Sequence, residues 1–229
     1  MCANHHKIVD DNPKQYTVED LQRMKAAHED RVRRALEDKS EFDVLSYEAI
    51  VVYIEMMMDF DKWDVWTSYL LSADGPMLSC EMQESINEIK QYILSRIWPK
   101  QYPDIEKAIQ EFRKILIDLD KVFHRHSEKK DGWYITEKFY KIRQYDYRIA
   151  DELNLKYRKH LCLVANLTYE MTRSANRICN LTRKYINPTY RQAEGALLSY
   201  EERPEYREGE YYPGLEEFER ICKTRDVHV

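Results

Sequence analysis

Two histidines at the end of a helical pattern are the first residues whose types and spacing invite a chemical role. His124 and His126 flank Arg125, and two imidazoles this close in sequence can ligate a metal ion. On a helix, however, side chains at positions i and i+4 share a face, whereas those at i and i+2 diverge. A helix carboxyl end also stabilises an imidazolium through its dipole. We therefore favour a structural role and predict no metal site.

The spacing of the cysteines decides between a metal or redox motif and ordinary thiols. The chain has five, at Cys2, Cys80, Cys162, Cys179 and Cys222. The number is odd and no C-x-x-C pair occurs. A catalytic thiol needs a nearby base in an electropositive setting, and only His160 is near Cys162 in sequence. We expect reduced thiols, with Cys162 and Cys179 packed in the core and the chain in the reducing cytoplasm.

A row of polar side chains recurs at spacings of three and four residues, which places it on one face of a helix. The row consists of Asn166, Glu170, Arg173, Arg177 and Asn180, with Asn176 beside it. Opposite charges at this spacing ordinarily support an exposed helix face, and that is the favoured interpretation. The alternative is a binding site, because two guanidinium groups on a rigid helix can hold a phosphate or carboxylate. These six residues are the candidate binding residues.

Charge is distributed unevenly along the chain. Residues 133–191 contain 12 Lys and Arg against 5 Asp and Glu, whereas the whole chain has a net charge of −5. The same part is rich in aromatic side chains, namely Trp133, Tyr134, Phe139, Tyr140, Tyr145, Tyr147 and Tyr157. Basic groups interleaved with aromatic rings are typical of proteins that bind RNA or single-stranded DNA. The isoelectric point near 5.9 argues against such binding, which we keep as an alternative.

Sequence motifs for catalysis do not occur in the chain. It has no glycine-rich phosphate loop, no H-E-x-x-H and no G-x-S-x-G. Adjacent acids such as Asp10 and Asp11 give no acid–base arrangement. We predict no catalytic residue and no cofactor. A helical enzyme or a ligand-binding bundle stays open as an alternative, because a site assembled in space can leave no trace in one sequence.

The elements that must position these groups are helices. Only 5 Gly and 7 Pro occur among 229 residues, below the ordinary usage of roughly 7% and 5%, so long uninterrupted elements follow. Charged residues make up 34% and hydrophobic residues 43%, which indicates both a core and a charged surface. We predict an all-α fold: a bundle of about five long amphipathic helices and a short, irregular, acidic C-terminal extension with a possible small hairpin or strand.

Local signals locate the first four helices. Thr17 and Asp20 form a capping-box-like start for a helix that runs to about Lys39. A second, mostly apolar helix is expected from Val44 to Ser72, at the centre of the bundle, with a stop at residues 73–76. Two helices follow whose apolar residues step by three and four, namely Met82, Ile86, Ile89, Ile93 and Ile97, and then Ile105, Ile109, Phe112, Leu116, Leu119 and Phe123.

A fifth, longer helix is expected after a loop at residues 127–132, with Thr136 as its cap and Pro188 as its limit. Its second half carries a seven-residue apolar pattern at Tyr157, Leu161, Val164, Thr168, Met171, Ala175, Ile178, Thr182 and Tyr185. Such a pattern predicts packing against another helix, as in a coiled coil, within the chain or with a second copy. Because one helix of this length would be long for a compact bundle, we expect a break near Asn154 or a protruding end.

These elements divide the chain into three parts. We expect a mobile leader at 1–15, the helical bundle at 16–190 and a Tyr- and Glu-rich acidic extension at 191–229. In the extension, residues 196–200 could form a short strand and 215–223 a short helix. The longest uncharged apolar run is far shorter than the roughly 20 residues that span a bilayer, so no membrane segment is expected.

The leading functional hypothesis is a non-catalytic helical module that acts through protein surfaces, as an interaction or regulatory protein. We expect it to self-associate as a homodimer or to bind a protein partner, without a membrane or a cofactor. Binding of RNA or single-stranded DNA through residues 133–191 is one alternative. A helical enzyme or ligand-binding bundle with a site not visible in the sequence is the other.

Overall fold

The computed structural model describes residues 17–141, 147–199 and 211–225. The chain divides into two units, Met1–Ser46 and Tyr47–Val229. The described part of the first unit is a single helix, and the second unit contains the hydrophobic core.

Helices make up most of the described residues, which confirms a mainly α-helical fold. The described α-helices are α1 Val18–Met57, α2 Trp63–Leu70, α3 Cys80–Ser95, α4 Pro103–Phe123, α5 Tyr147–Tyr185 and α6 Leu215–Arg225. Three short 3-10 helices lie at Phe60–Lys62, His124–His126 and Phe139–Lys141. None of the helices in the described ranges is long and apolar enough to cross a membrane.

Helix α1 begins where the sequence predicted. The backbone N–H of Asp20 donates to Oγ1 of Thr17 at 3.2 Å, and the Thr17 hydroxyl donates to the Asp20 carboxylate at 2.7 Å. The predicted gap between a first and a second helix at residues 40–43 is wrong, because α1 runs through it without interruption. The gap contains no Gly or Pro, so nothing in it breaks the helical hydrogen bonding.

The predicted second helix ends early, at Met57, just before Asp59. This residue has a φ of 45°, in the left-handed region that stops a helix and that Asp tolerates better than most residues. The Met58 carbonyl beside it accepts a hydrogen bond from the Trp66 indole nitrogen at 3.0 Å. The chain then continues through the first 3-10 helix into α2, where Trp63 and Trp66 pack edge to face with centroids 5.0 Å apart.

A small antiparallel sheet with strand order β1-β3-β2 is added to the helices. Its strands are β1 Met77–Ser79, β2 Ser127–Lys130 and β3 Trp133–Thr136. The loop predicted at residues 127–132 is thus largely a strand and a tight turn. Asp131 and Gly132 form the turn with φ values of 49° and 82°, the pattern of the two-residue turns that match strand twist. The helix cap predicted at Thr136 is also wrong, because its hydroxyl donates to the Pro76 carbonyl at 2.9 Å and ties β3 to the start of β1.

The core of the second unit is centred on α4 and α5, which pack against each other. All six apolar residues predicted for α4 are buried. The opposing face of α5 buries Val164, Met171, Ala175 and Ile178. Buried threonines on α5 satisfy their hydroxyls within the helix, as Thr168 does by donating to the Val164 carbonyl at 2.9 Å. The apolar face of α5 therefore has its helical partner within the chain.

Other sequence predictions have mixed outcomes. The break expected near Asn154 is wrong, because α5 is continuous through it. Ile97 is 96% exposed, since α3 already ends at Ser95, ahead of the extended backbone that precedes Pro99. The helix predicted at 215–223 is confirmed by α6.

The extension and the leader are described only in part. In the strand predicted at 196–200, Ser199 is a single bridge residue and Tyr200 lies outside the described residues. The predicted leader at 1–15 and residues 201–210 of the acidic extension also lie outside them.

The α4–α5 contact generates the first prediction. Ile178 is fully buried, so Ile178→Asp places an unpaired carboxylate in the core and should lower the free energy of unfolding by at least about 3 kcal/mol. Urea denaturation followed by circular dichroism measures the loss. Asn180→Asp, at an exposed position two residues away, is the control and should change stability by less than about 0.5 kcal/mol. Equal stabilities of the two variants would contradict the packing of this face.

Candidate functional site

A pocket of about 390 Å³ lies in the second unit, between α5, α6 and two of the 3-10 helices. Most of its wall is apolar and includes Phe139, Leu153, Leu163, Cys162 and Cys222. Helix α5 supplies residues at spacings of three and four, so one helix face forms this wall. Glu219 and Cys222, three residues apart, present the matching face of α6.

The hairpin of β2 and β3 explains how distant residues reach the pocket. Helix α4 ends in the 3-10 helix that carries Arg125 and His126, and the hairpin then returns the chain so that Phe139 lies beside them. The Phe139 ring contacts His126 with centroids 4.4 Å apart and Tyr157 on α5 with centroids 5.5 Å apart. These ring contacts hold one end of the pocket together.

His160 is the most unusual polar group of the pocket. It is 7% exposed, and its Nε2 atom is buried with no hydrogen-bond partner among the described residues. Burial, with smaller contributions from His126 and Arg125, lowers the pKa of His160 to about 4. The ring therefore stays neutral at neutral pH, and its buried nitrogen carries the cost of an unsatisfied polar atom.

Cationic side chains line the same pocket. Arg125 pairs with Glu219 of α6 at 3.1 Å, and Lys156 pairs with the exposed Glu152 at 2.7 Å. Lys159 also lines the pocket and has no ion-pair partner within the part of the chain that the structure describes. The pocket thus combines an apolar wall with positive charge that its own carboxylates do not fully balance.

Two members of the polar row predicted as a binding site are buried. Arg177 forms an ion pair with Glu111 of α4, and the other Glu111 oxygen accepts from the backbone N–H of Tyr212 at 2.7 Å. The Asn176 amide donates to the Leu197 carbonyl and accepts from the Leu197 N–H, both at 2.9 Å. These bonds fasten the segments around 197 and 212 to the helical core.

The other four members of the row bond to nearby groups of the same chain. Glu170 pairs with Arg173, and the exposed Asn180 accepts from Arg183 at 2.6 Å. The Nδ2 atom of Asn166 lies within hydrogen-bonding distance of the sulfurs of two pocket residues, Cys162 and Cys222. The row is therefore not one solvated face, and among its members Asn166 is the one that contacts the pocket wall. A binding role for the six residues stays a prediction.

The histidine pair singled out in the sequence is split between two environments. His124 Nε2 lies 2.8 Å from the side-chain amide oxygen of Gln83, and Nδ1 lies 2.8 Å from the Ser127 hydroxyl. Gln83 in turn donates to the Asp120 carboxylate at 2.7 Å, so this network joins α3, α4 and β2. Burial is the main cause of the lowered pKa of His124. In the described ranges, no group of three or more His, Cys, Asp or Glu residues could hold a metal ion.

Several aromatic rings of the basic region 133–191 pack against other rings of the chain. The ring of Trp133 contacts Tyr69 at 5.0 Å and that of Tyr134 contacts His124 at 4.7 Å, measured between centroids. Tyr157 is buried. Tyr145 lies outside the described residues.

Comparisons with known proteins add no functional information about this pocket. No protein-family model, no curated protein and no solved structure matches the chain. The pocket and the surfaces themselves are therefore the basis for a function.

The buried imidazole generates a prediction about pH. Folding lowers the pKa of His160 from near 6.5 to about 4, so protons bind the unfolded chain more tightly. The free energy of unfolding therefore has its full value above about pH 6.5 and decreases as the pH falls to about 4. At about 1.36 kcal/mol per pH unit, the decrease is about 3 kcal/mol.

Urea denaturation at pH 7 and pH 4 measures this loss. His160→Leu should reduce the difference in unfolding free energy between the two pH values by that amount, because the variant has no imidazole to protonate. His28→Asn, at an exposed position on α1, is the control and should keep the full difference. An identical pH dependence in the unmodified chain and His160→Leu would show that the ring is not held neutral by burial.

Proposed function

We propose that this chain is a non-catalytic helical module that binds a small molecule with an apolar body and an anionic end, in the pocket between α5 and α6. The observation that carries the proposal is the pocket itself, with a volume of about 390 Å³ and mostly apolar walls. Pockets of roughly 300 to 1,000 Å³ with a few placed polar groups are typical of small-molecule sites.

The charge of the pocket favours an anionic end on the ligand. Lys159 has no carboxylate partner among the described residues, and Arg125 and Lys156 add further positive charge beside it. A carboxylate near these cations would gain charge-assisted hydrogen bonds. The apolar body would cover Phe139, Leu153 and Leu163, which lose contact with water when the pocket is filled.

Ligand binding of this kind suits a regulatory module. The pocket walls come from α5 and α6, so a ligand that binds only when these helices are assembled stabilises their arrangement by mass action. A protein partner that contacts α6 at the surface would then bind differently to the ligand-bound and the ligand-free chain. The proposal keeps a helical bundle, with α4 and α5 at its centre in place of the second helix that the sequence predicted there.

Titration with decanoate, followed by calorimetry, tests the ligand site. We expect one decanoate to bind per chain, because the pocket accepts an apolar chain next to cations. Leu153→Trp should abolish binding by filling the pocket. Leu155→Trp, on the same helix at an exposed position outside the pocket, should leave binding unchanged.

The anionic end is tested in the same experiment. Lys159→Gln should weaken decanoate binding about fivefold, which corresponds to about 1 kcal/mol, and should leave the binding of decanol unchanged. Lys121→Gln, at an exposed position that does not line the pocket, is the matched control. Absence of decanoate binding, or equal binding by Leu153→Trp and the unmodified chain, would contradict the proposal.

A second candidate function is self-association through the helix of the first unit. Residues 17–46 form a single helix whose apolar side chains include Val18, Met24 and Val32, and all three are exposed. Val18, Leu21 and Met24 follow one another every three residues, and Val32 comes eight residues, about two turns, after Met24, so the four side chains lie on one side of the helix. Among the described residues of the first unit, no second helix covers this face. Pairing with the same helix of a second copy would give a homodimer, the state expected from the sequence, through a contact that the sequence did not assign to this helix.

Light scattering coupled to gel filtration tests this pairing. The full-length chain should have the mass of two chains, whereas Met24→Lys combined with Val32→Lys should give the single-chain mass of 27.8 kDa. Ala26→Lys combined with Glu19→Gln adds the same net charge on the opposite side of the helix and should preserve the dimer. A single-chain mass for the unmodified protein at high concentration would contradict the candidate.

Nucleic-acid binding through residues 133–191 receives less support. The rings of Trp133, Tyr134 and Phe139 contact other rings of the chain, so they are not arranged as open platforms for stacked bases.

A further inference from the structure

Two cysteines from different helices meet at one amide group beside the pocket. The Nδ2 atom of Asn166 lies 3.4 Å from Sγ of Cys162, one turn earlier on α5, and 3.5 Å from Sγ of Cys222 on α6. Both cysteines line the pocket, and both are thiols. We propose that Cys162 and Cys222 form a redox pair, which hydrogen peroxide converts reversibly to an intramolecular disulfide.

The pair lies beside groups that interact favourably with a thiolate, which is the reactive form of cysteine. An amide N–H directed at a sulfur stabilises its negative charge by hydrogen bonding. Arg125, Lys156 and Lys159 line the same pocket and supply positive charge. Cys162 is the more exposed member of the pair, since Cys222 is only 8% exposed, so Cys162 is the sulfur that meets the oxidant first.

Cys179 provides an internal contrast on the same helix. It is 2% exposed, and burial raises the pKa of its thiol to about 11. It therefore stays protonated and shielded under conditions in which Cys162 reacts. A difference in reactivity between these two residues separates a specific pair from general oxidation of the chain.

The oxidation proceeds in two balanced steps. The Cys162 thiolate attacks one oxygen of hydrogen peroxide, the O–O bond breaks, and the leaving hydroxide takes up a proton to become water, so that Cys162 becomes a sulfenic acid. The Cys222 thiolate then attacks the sulfenic sulfur, the S–S bond forms, and the S–O bond breaks with release of a second water. Two thiols lose two protons and two electrons, and one peroxide takes them up and is reduced to two waters.

The disulfide has a structural consequence for the pocket. Its sulfurs must lie about 2.05 Å apart, so the bond links α5 to α6 and fixes the distance between Cys162 and Cys222. Because both residues belong to the pocket wall, oxidation reshapes the space between the helices. The effect on ligand binding rests on the proposed function, whereas formation of the disulfide does not.

Mass spectrometry of the intact, full-length chain tests the pair directly. After reduction and treatment with hydrogen peroxide, the chain should lose the mass of two hydrogens, and a non-reducing peptide map should show Cys162 linked to Cys222. Dithiothreitol should restore the original mass. Cys162→Ser and Cys222→Ser should each prevent the link, whereas Cys80→Ser and Cys179→Ser should leave it intact.

Two results would overturn the proposal. One is the conversion of Cys162 to sulfinic acid while Cys222 stays a thiol, and the other is a disulfide that links either residue to Cys2, Cys80 or Cys179. A decanoate titration of the oxidised and reduced chains is a separate arm, in which we expect at least fivefold weaker binding after oxidation. Equal binding would reject control of the pocket, and failure of decanoate to bind the reduced chain would reject the ligand site and leave the peptide map to decide the redox pair.

Discussion

The packing of α4 against α5 is the contact on which the remainder of the second unit depends. Both helices contribute side chains without exposed surface, such as Ile109 and Phe112 on α4 and Met171 and Ile178 on α5. Close-packed side chains of this kind fix the rotation of each helix about its axis. Because one face of α5 packs against α4, the neighbouring faces of α5 carry the polar row and the pocket wall.

The polar row of α5 then decides where the C-terminal part of the chain lies. The buried pair of Arg177 and Glu111 is costly to desolvate, so its charges need further partners, and the Tyr212 N–H supplies one. Tyr212 also donates its hydroxyl to Asp118 at 2.9 Å, which gives this segment two anchors on α4. Because α6 begins three residues later, the same anchors set the position of the second pocket wall. The residues predicted as a binding site thus support the pocket largely without lining it.

Sequence patterns predicted what depends on neighbours along the chain. The Thr17 cap, the buried stripe of α4 and the short helix α6 all follow from local spacing and were predicted. The hairpin was missed although Asp131-Gly132 is a strong turn signal, because strands of four residues are too short to show a period of their own. The burial of Arg177 could not be predicted, since the segment that covers it follows many residues later. The pocket escaped prediction for the same reason, as its walls come from four separate stretches of the chain.

The polar groups of the pocket differ in exposure, and this difference determines how a bound molecule is oriented. His160 is held neutral by burial, so the interior offers a bound molecule no charge at neutral pH. The cations that line the same space sit on long side chains, and Lys156 is well exposed, so their charged ends can remain solvated while their stems cover apolar surface. An amphipathic molecule would therefore enter with its apolar end first and keep its anionic end near the cations. In the opposite orientation the anion would lie against a neutral wall, where the loss of hydration has no compensation.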